Sequence, residues 1–198
     1  KQTGAILLFG NEPFSSNLRL SNIKNYRYDW IWKKSRHAGF LNAKKQPLRN
    51  VENISSFYKK QSVYNPQGLI KIDRQMKNVL SKQKKTEIGI STHNGGRLSE
   101  NYVQEFENYP SQLLSFASEN GFHPTQKPVA LLEYLILTYS NECDIILDNC
   151  MGSGSTGIAC LNTNRKFIGM ELDDKYFEIA KNRIKNHKPD AQLKLFQE

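Results

Sequence analysis

The 198-residue sequence has no long apolar run, few cysteines and no Pro-Pro pair. Its longest apolar stretch, residues 131–137, is interrupted by Glu133 and is too short to cross a membrane as a helix. The three cysteines, Cys143, Cys150 and Cys160, have neither metal-ligand spacing nor the even number expected of a disulfide framework. We therefore expect no membrane association and no metal site, and a reducing compartment such as the cytoplasm.

Acidic residues are scarce in one part of the chain, and the net charge of +9 comes from that part. Between residues 21 and 90, sixteen Lys or Arg stand against four Asp or Glu, whereas residues 91–198 carry ten bases and fourteen acids. A basic excess confined to one segment is typical of proteins that bind a polyanion. Lysine-rich segments are also common as plain solvated surface, so charge alone leaves both interpretations open.

The chain is organised in three zones. Residues 4–10 predict a strand that is buried on both faces. Residues 21–120 are polar and basic, with strand-like stretches at 26–32 and 53–58. From residue 121 onward the pattern alternates between helix and strand, which predicts a parallel, doubly wound α/β sheet. The elements predicted there are a helix at 128–139, a short buried strand at 144–148, a helix at 155–161, a strand at 166–172 and a helix at 174–185.

A glycine-rich turn joins the first strand of the last zone to its helix. Residues 148–157 read D-N-C-M-G-S-G-S-T-G, which places G-x-G-x-x-G between a strand and a helix. Glycines permit a positive φ and close approach to a ligand, and the helix N-terminus offers free N–H groups. Glu171, at the end of the next predicted strand, could accept hydrogen bonds from a ribose. This pattern fits NAD and S-adenosylmethionine alike.

Residues 123–128, His-Pro-Thr-Gln-Lys-Pro, precede the first helix of this zone. Proline is favoured in a helix's first turn, and Thr125 is predicted to cap this helix. Together with Lys127, the helix N-terminus would then attract an anion such as a carboxylate. The alternative is an ordinary capped helix with an exposed lysine. His123 is assigned a supporting role.

These two segments resemble motifs of DNA amino-methyltransferases. The glycine turn resembles D-P-F-x-G-x-G-T-T, with Asn149 in place of the proline and Cys150 in place of the aromatic residue, and residues 123–128 resemble H-P-T-x-K-P. The order of zones is similar to the permuted (beta) class, particularly phage and restriction-associated adenine enzymes. The resemblance implies an incomplete Rossmann-like S-adenosylmethionine-dependent methyltransferase sheet with a loop-rich, basic target-recognition insertion. It assigns residues 1–20 to the catalytic sheet, 21–120 to DNA recognition and 121–198 to cofactor binding.

The tetrapeptide that defines this family, D/N/S-P-P-Y/F/W, does not occur in the sequence. Asn11-Glu12-Pro13-Phe14 follows a predicted strand but has glutamate at the second position. We therefore expect no catalytic residue in this chain and a tetrapeptide upstream of Lys1, so that the chain alone could be inactive.

The resemblance implies methyl transfer from S-adenosylmethionine to the N6 of adenine in double-stranded DNA, in the cytoplasm of a bacterial or phage-infected cell. Three alternatives stay open: N4 of cytosine as the target, a non-catalytic cofactor- or DNA-binding remnant, and an NAD-dependent dehydrogenase. Homodimerisation is also left open. The predicted cofactor-binding residues are Phe9, Gly10, His123, Thr125, Lys127, Asp148, Cys150, Met151, Gly152, Ser153, Gly154, Ser155, Thr156 and Glu171. The predicted DNA-binding residues are Lys33, Lys34, Arg36, Asn42, Lys44, Lys45, Arg49, Lys59 and Lys60.

Overall fold

A computed structural model describes residues 2–75, 103–119, 121–122 and 124–188. The chain divides into two compact units, one formed by Lys1–Gln67 with Ser111–Glu198 and the other by Gly68–Pro110. No helix in the described ranges is long and apolar enough to span a membrane. In chain order the elements are β1 (Ile6–Gly10), α1 (Phe14–Ser21), β2 (Tyr26–Ala38), a 3₁₀ turn (Phe40–Asn42), β3 (Arg49–Phe57), β4 (Ile70–Gln75), β5 (Val103–Glu107), β6 (Leu113–Phe116), α2 (Val129–Tyr139), β7 (Ile145–Asp148), α3 (Ser155–Asn162), β8 (Lys166–Gly169) and α4 (Asp174–Asn186).

The larger unit contains a four-stranded sheet with the order β1-β3-β2-β6. β3 lies between β1 and β2 and is antiparallel to both, while β6 is parallel to β2. The two strand-like stretches predicted in the basic zone are therefore confirmed as parts of β2 and β3. Both strands are longer than predicted, and they extend toward the loop that joins them.

A second sheet in the same unit consists of β7 and β8, paired in parallel from Ile145 opposite Lys166 to Asp148 opposite Gly169. The predicted strand–helix–strand–helix order is confirmed, with element ends shifted by a few residues. β8 ends at Gly169, so Glu171 lies two residues beyond the strand rather than at its end. This βαβ unit is the Rossmann-like part of the fold.

Helix α2 packs against both sheets' cores because it is apolar on most of its surface. Leu131 and Leu135, one turn apart, face one core, and Leu132 and Ile136 face another. A helix that is apolar on most sides is buried on most sides. The first core also contains Trp30, Trp32, Ile54 and Leu114, and the second contains Ala159 and Cys160.

The prediction that the first strand is buried on both faces is wrong. Ile6 and Leu8 of β1 are 55% and 37% exposed, and only the opposite face, with Phe9, packs against the core. The prediction that the strand at 144–148 is buried is wrong for the same reason, since Ile145 and Leu147 of β7 are exposed. An apolar run shows that burial of both faces of a strand would be favourable, but it does not show that other elements cover both of them.

In the described part of the smaller unit, β4 pairs with β5 in antiparallel orientation, and Ile70 lies opposite Glu107. The amide of Asn108 donates a hydrogen bond to the carbonyl of Gly68 at 2.7 Å, which closes the open end of this pair.

Candidate functional site

The glycine-rich turn runs from the end of β7 to the start of α3. Gly152 and Gly154 have φ values of 52° and 79°, in the left-handed region that other residues avoid. A Cβ on Gly157 would lie 2.4 Å from Cδ1 of Ile184, so this third glycine lets α3 approach α4 closely. The first two glycines of G-x-G-x-x-G thus shape the turn, and the second and third allow close packing against α4.

Asp148 holds this turn together from inside. One carboxylate oxygen accepts the hydroxyl of Thr156 at 2.6 Å, and the other accepts the backbone N–H of Cys150 at 3.1 Å. Both Asp148 and Thr156 are predicted cofactor residues, and the structure places them where they brace the turn. The Cys150 side chain is exposed at its surface, and partial burial, followed by the charges of Asp148 and Glu171, raises its thiol pKa.

Glu171 lies against the same turn. One of its oxygens accepts the N–H of Gly152 at 2.8 Å, and the other accepts those of Leu172 and Asp173 at 2.9 and 3.1 Å. These backbone donors, Asp173 first and then Gly152, lower the carboxyl pKa. Because a carboxylate offers about four acceptor positions, Glu171 can still accept one hydroxyl. The structure therefore places an acid against the glycine turn, two residues after β8 ends.

Three other residues of the turn point their side chains inward. Ser153 and Ser155 are buried, and Arg183 of α4 donates to the Ser153 carbonyl at 3.2 Å and to the Ser155 hydroxyl at 3.0 Å. Met151 is buried as well, with its sulfur against Gly169. Any contact of these residues with a cofactor would be made by backbone groups, and their predicted role stays a prediction.

The prediction that Thr125 caps α2 is wrong. The helix begins at Val129, with Pro128 in the N-cap position, and the N–H of Val129 donates to Glu119 at 3.0 Å. Proline has no side-chain acceptor, so the first helical N–H is satisfied by a carboxylate from outside the motif. Glu119 therefore takes one of the N–H groups that an anion would use. His123 lies outside the described residues.

Lys127 forms an ion pair that the sequence did not indicate. Its ammonium lies 2.9 Å from a carboxylate oxygen of Glu52 on β3 and 5.1 Å from the centre of the Phe9 ring. The other oxygen of Glu52 lies 2.6 Å from the ammonium of Lys34, and Glu52 itself is buried. The sequence offered one indication of a special role for Glu52, because it is the only acidic residue between Asp29 and Asp73.

Phe9 and Gly10 end β1 beside these groups. Phe9 packs against both apolar cores, and a Cβ on Gly10 would come within 2.8 Å of the Ser15 hydroxyl. Glu12 accepts the N–H and the hydroxyl of Ser16, so the segment that partly resembles the tetrapeptide begins α1. The charge of Lys127 offsets a small part of the rise in the Cys150 thiol pKa, which burial and the charges of Asp148 and Glu171 cause.

Most of the predicted DNA-binding side chains lie on the surface. Lys34 is the exception, since it is held by Glu52 and lies 5.0 Å from the Trp32 ring. Within the described ranges no cluster of His, Cys, Asp and Glu could hold a metal ion. The exposed members of the predicted set are Lys33, Arg36, Asn42, Lys44, Lys45, Arg49, Lys59 and Lys60.

Comparison with known proteins identifies the family. The model of the N6_N4_Mtase family, described as DNA methylase, matches residues 1–182. The chain belongs to this family. The resemblance to the DNA amino-methyltransferases is therefore confirmed.

Several members of this family are similar to the chain over a shorter stretch. The type II methyltransferase M.HpaI of Haemophilus parainfluenzae is 50% identical over 62 residues, which is 31% of this chain and 20% of that protein. The DNA adenine methyltransferase YhdJ of Escherichia coli K12 is 47% identical over 62 residues, 31% of this chain and 21% of that protein. The matched stretches thus span about a fifth of the length of these relatives.

Solved structures of the family share the fold. The M1.HpyAVI–SAM complex matches with a TM-score of 0.63 at 26% identity, over 93% of this chain and 76% of that one. The cytosine-N4-specific PvuII DNA methyltransferase matches with a TM-score of 0.56 at 16% identity, over 96% of this chain and 72% of that one. These matches confirm a Rossmann-like methyltransferase fold.

Proposed function

We propose that this chain is the cofactor-binding and DNA-facing part of a methyltransferase that transfers a methyl group from S-adenosylmethionine to the N6 of adenine in DNA. The observation that carries the proposal is the Glu171 carboxylate, hydrogen-bonded to Gly152 at the glycine turn, in a chain that matches the DNA methylase family over residues 1–182. The name of YhdJ, a DNA adenine methyltransferase, supports adenine as the target. The SAM complex of M1.HpyAVI supports the cofactor.

The residues at the turn fit an adenosine with a charged amino-acid tail. Glu171 has an acceptor position left for a ribose hydroxyl. The first N–H groups of α3 have no acceptor within that helix and are available to a polar ligand. Lys127 would hold the carboxylate of the methionine end while it stays paired with Glu52, because an ammonium has three donors.

When bound, S-adenosylmethionine supplies a methyl group on a sulfonium, which an amine can attack in line. The residues of this chain would bind and orient it: Glu171 at the ribose, the glycine turn beside the adenosine, and Lys127 at the carboxylate. Cys150 would cover the adenine with a smaller side chain than the aromatic residue of the related motif. The 198 residues contain no Pro-Pro pair, so we assign no residue of this chain to the reacting amine.

The exposed Lys and Arg side chains on β2, β3 and their connecting loop are proposed to bind the phosphates of double-stranded DNA. Such contacts set affinity and register but read no sequence. We also propose a cytoplasmic location, since the related restriction-modification enzymes are bacterial proteins. Whether the protein acts as a dimer is a separate question that sedimentation with and without DNA would answer.

Calorimetric titration of the full chain with S-adenosylmethionine and with NAD tests the cofactor assignment. We expect binding of the first only. Glu171→Gln should weaken this binding about 10- to 100-fold, because a hydrogen bond to a charged acceptor contributes about 1.5–3 kcal/mol. Glu178→Gln, which removes an exposed carboxylate on α4, is the matched control and should bind as the parent does. Binding of NAD in preference to S-adenosylmethionine would overturn the proposal.

Nucleoside analysis of treated DNA tests the target base. The chain is assayed alone and with a segment that carries the family tetrapeptide, and the products are separated by mass spectrometry. We expect N6-methyladenine in the supplemented reaction. N4-methylcytosine as the product would overturn the choice of base and leave the methyltransferase assignment intact.

A further inference from the structure

The loop between β2 and β3 carries two strongly exposed apolar side chains. A 3₁₀ turn, Phe40–Asn42, forms its tip and follows Gly39, whose φ of 94° only glycine adopts readily. Phe40 is 70% exposed and Leu41 is completely exposed. We refer to Phe40 and Leu41 as the loop tip.

The loop tip stands away from the packed part of the sheet. β2 is buried at Trp30 and Trp32, and its residues beyond Lys34 are all exposed. Ladder pairing is irregular after Lys33 and is found again at Ala38, opposite Arg49. The two strands thus carry the loop tip beyond the apolar core, where core packing does not explain a phenylalanine next to a leucine.

Charge around the loop tip is entirely of one sign. Residues 33–51 contain six Lys or Arg and no Asp or Glu. Five of these six bases are exposed, and Lys34 is the one that Glu52 holds. An apolar tip within a basic surface suits a partner that is a polyanion outside and apolar inside, which describes duplex DNA with its stacked bases.

We propose that Phe40 and Leu41 insert between stacked bases of the DNA while the surrounding Lys and Arg side chains bind its phosphates. The inference rests on the proposed function, because it assumes that DNA is the partner. A methyltransferase that acts on a base amine must take that base out of the duplex, which leaves a gap in the stack. Apolar side chains such as Phe and Leu are used as wedges between base steps. The loop tip fills this gap.

Duplexes that differ only in one abasic site test the proposal without knowledge of the recognition sequence. The full chain is titrated with an intact random-sequence duplex and with the same duplex carrying a single abasic position, which offers a ready-made gap. We expect binding about 10-fold tighter to the abasic duplex, since stacking of an aromatic ring contributes about 1–3 kcal/mol per base. Phe40→Ala/Leu41→Ala should abolish this preference and leave the salt dependence of binding to the intact duplex unchanged.

Leu20→Ala/Ile23→Ala is the matched control, because these two residues are 69% and 60% exposed and lie outside residues 33–51. It should keep the abasic preference. Binding to intact duplex with no abasic preference, or a preference that survives in the loop-tip variant, would overturn the inference alone. Failure of the parent chain to bind any duplex would instead overturn the proposed DNA substrate. Loss of self-association in the loop-tip variant, with DNA binding unchanged, would identify a protein-docking surface and also contradict the inference.

Discussion

Glu171, at the proposed ribose position, is held in place by hydrogen bonds from backbone groups. Its oxygens accept three backbone N–H groups, one from the glycine turn and two from the residues that follow it. These bonds favour the ionised form and fix the direction of the remaining acceptor position. The charge that would meet a ribose is therefore held in place by backbone groups that most side-chain substitutions leave intact.

The lowered pKa of Glu171 predicts how stability depends on pH. A carboxyl whose folded-state pKa lies below its ordinary value of 4.5 contributes stability that is complete above that value and is lost as pH falls through the lowered pKa. Glu171→Gln should therefore lose less stability than the parent chain as the pH falls below 4.5. Urea denaturation at a series of pH values measures this difference. Parallel curves for the two proteins would contradict it.

Glu52 links two lysines for which the sequence predicted separate tasks. Lys34 was predicted to bind DNA and Lys127 to bind the cofactor, yet both lie within ion-pair distance of the same buried carboxylate. A buried charge is tolerated when partners surround it, and removal of one member leaves the others uncompensated. The three residues therefore act as one electrostatic unit.

Substitution of Glu52 should reveal this unit in a double-mutant cycle. We expect Glu52→Gln to lower the free energy of unfolding by about 1–2 kcal/mol at low salt, since its partners are partly exposed and the ion pairs are screened. The cycle with Lys127→Met should give a coupling energy of about 1 kcal/mol. Lys33→Met removes the neighbouring charge from the other face of β2 and should be additive with Glu52→Gln. Additive effects of Glu52→Gln and Lys127→Met on the free energy of unfolding would contradict the ion pair.

At the scale of elements, close approach of α3 to α4 depends on small residues. Gly154 lies against Ala180, where a Cβ would come within 3.0 Å of the Ala180 Cβ, and Gly157 lies against Ile184. Helices that approach this closely hold the glycine turn rigidly at the end of β7. The shape of the turn and the packing of the helices are thus set by the same ten-residue motif.

Gly157→Ala tests this packing. Alanine has a helix propensity about 1 kcal/mol better than glycine, but the added methyl would overlap Cδ1 of Ile184 at 2.4 Å. Overpacking in a well-packed core costs about 1–3 kcal/mol, so we expect a net loss of stability. Ile184→Val removes the closest atom, but Cγ1 of residue 184 and Cδ1 of Phe167 would remain 2.9 and 3.0 Å from the new Cβ, so the double variant should recover part of the loss. Chemical denaturation of the four proteins measures the recovery, and failure to recover would contradict the proposed contact.

At the scale of the whole molecule, charge is distributed very unevenly. The net charge of +9 arises from residues 21–90, while residues 91–198 carry a small acidic excess. The described bases of this segment lie mainly at the surface. Neutralisation of DNA phosphates releases counterions, so binding through such a surface weakens steeply with salt.

The dependence of DNA affinity on salt concentration should become weaker when these Lys and Arg side chains are removed. Lys44→Ala/Lys45→Ala should reduce the slope of log K against log[salt] by about 2, because each phosphate contact contributes about 0.9. Fluorescence anisotropy with a labelled duplex at several salt concentrations measures it. Lys175→Ala/Lys181→Ala, on α4, is the control with the same change in net charge and should leave the slope unchanged. An equal effect of both variants would show that overall charge, rather than the loop, attracts DNA.

Local patterns in the sequence determined much of this protein. The G-x-G-x-x-G spacing, the two strands beside it and the amphipathic α4 depend on backbone freedom and periodicity, which neighbouring residues encode. The association of Glu171 with the turn also followed, because parallel strands end at the same edge. Family motifs in residues 123–157 identified the class.

Only the tertiary structure decided which groups meet across long separations and which surfaces are covered. Glu119 replaces Thr125 as the partner of the first N–H of α2, and Glu52 captures Lys34 and Lys127, because the partner of a polar group is set by packing rather than by sequence distance. Exposure of Ile6, Leu8, Ile145 and Leu147 was equally beyond the sequence. Burial of an apolar side chain is favourable, but only the arrangement of neighbouring elements determines whether the side chain is buried.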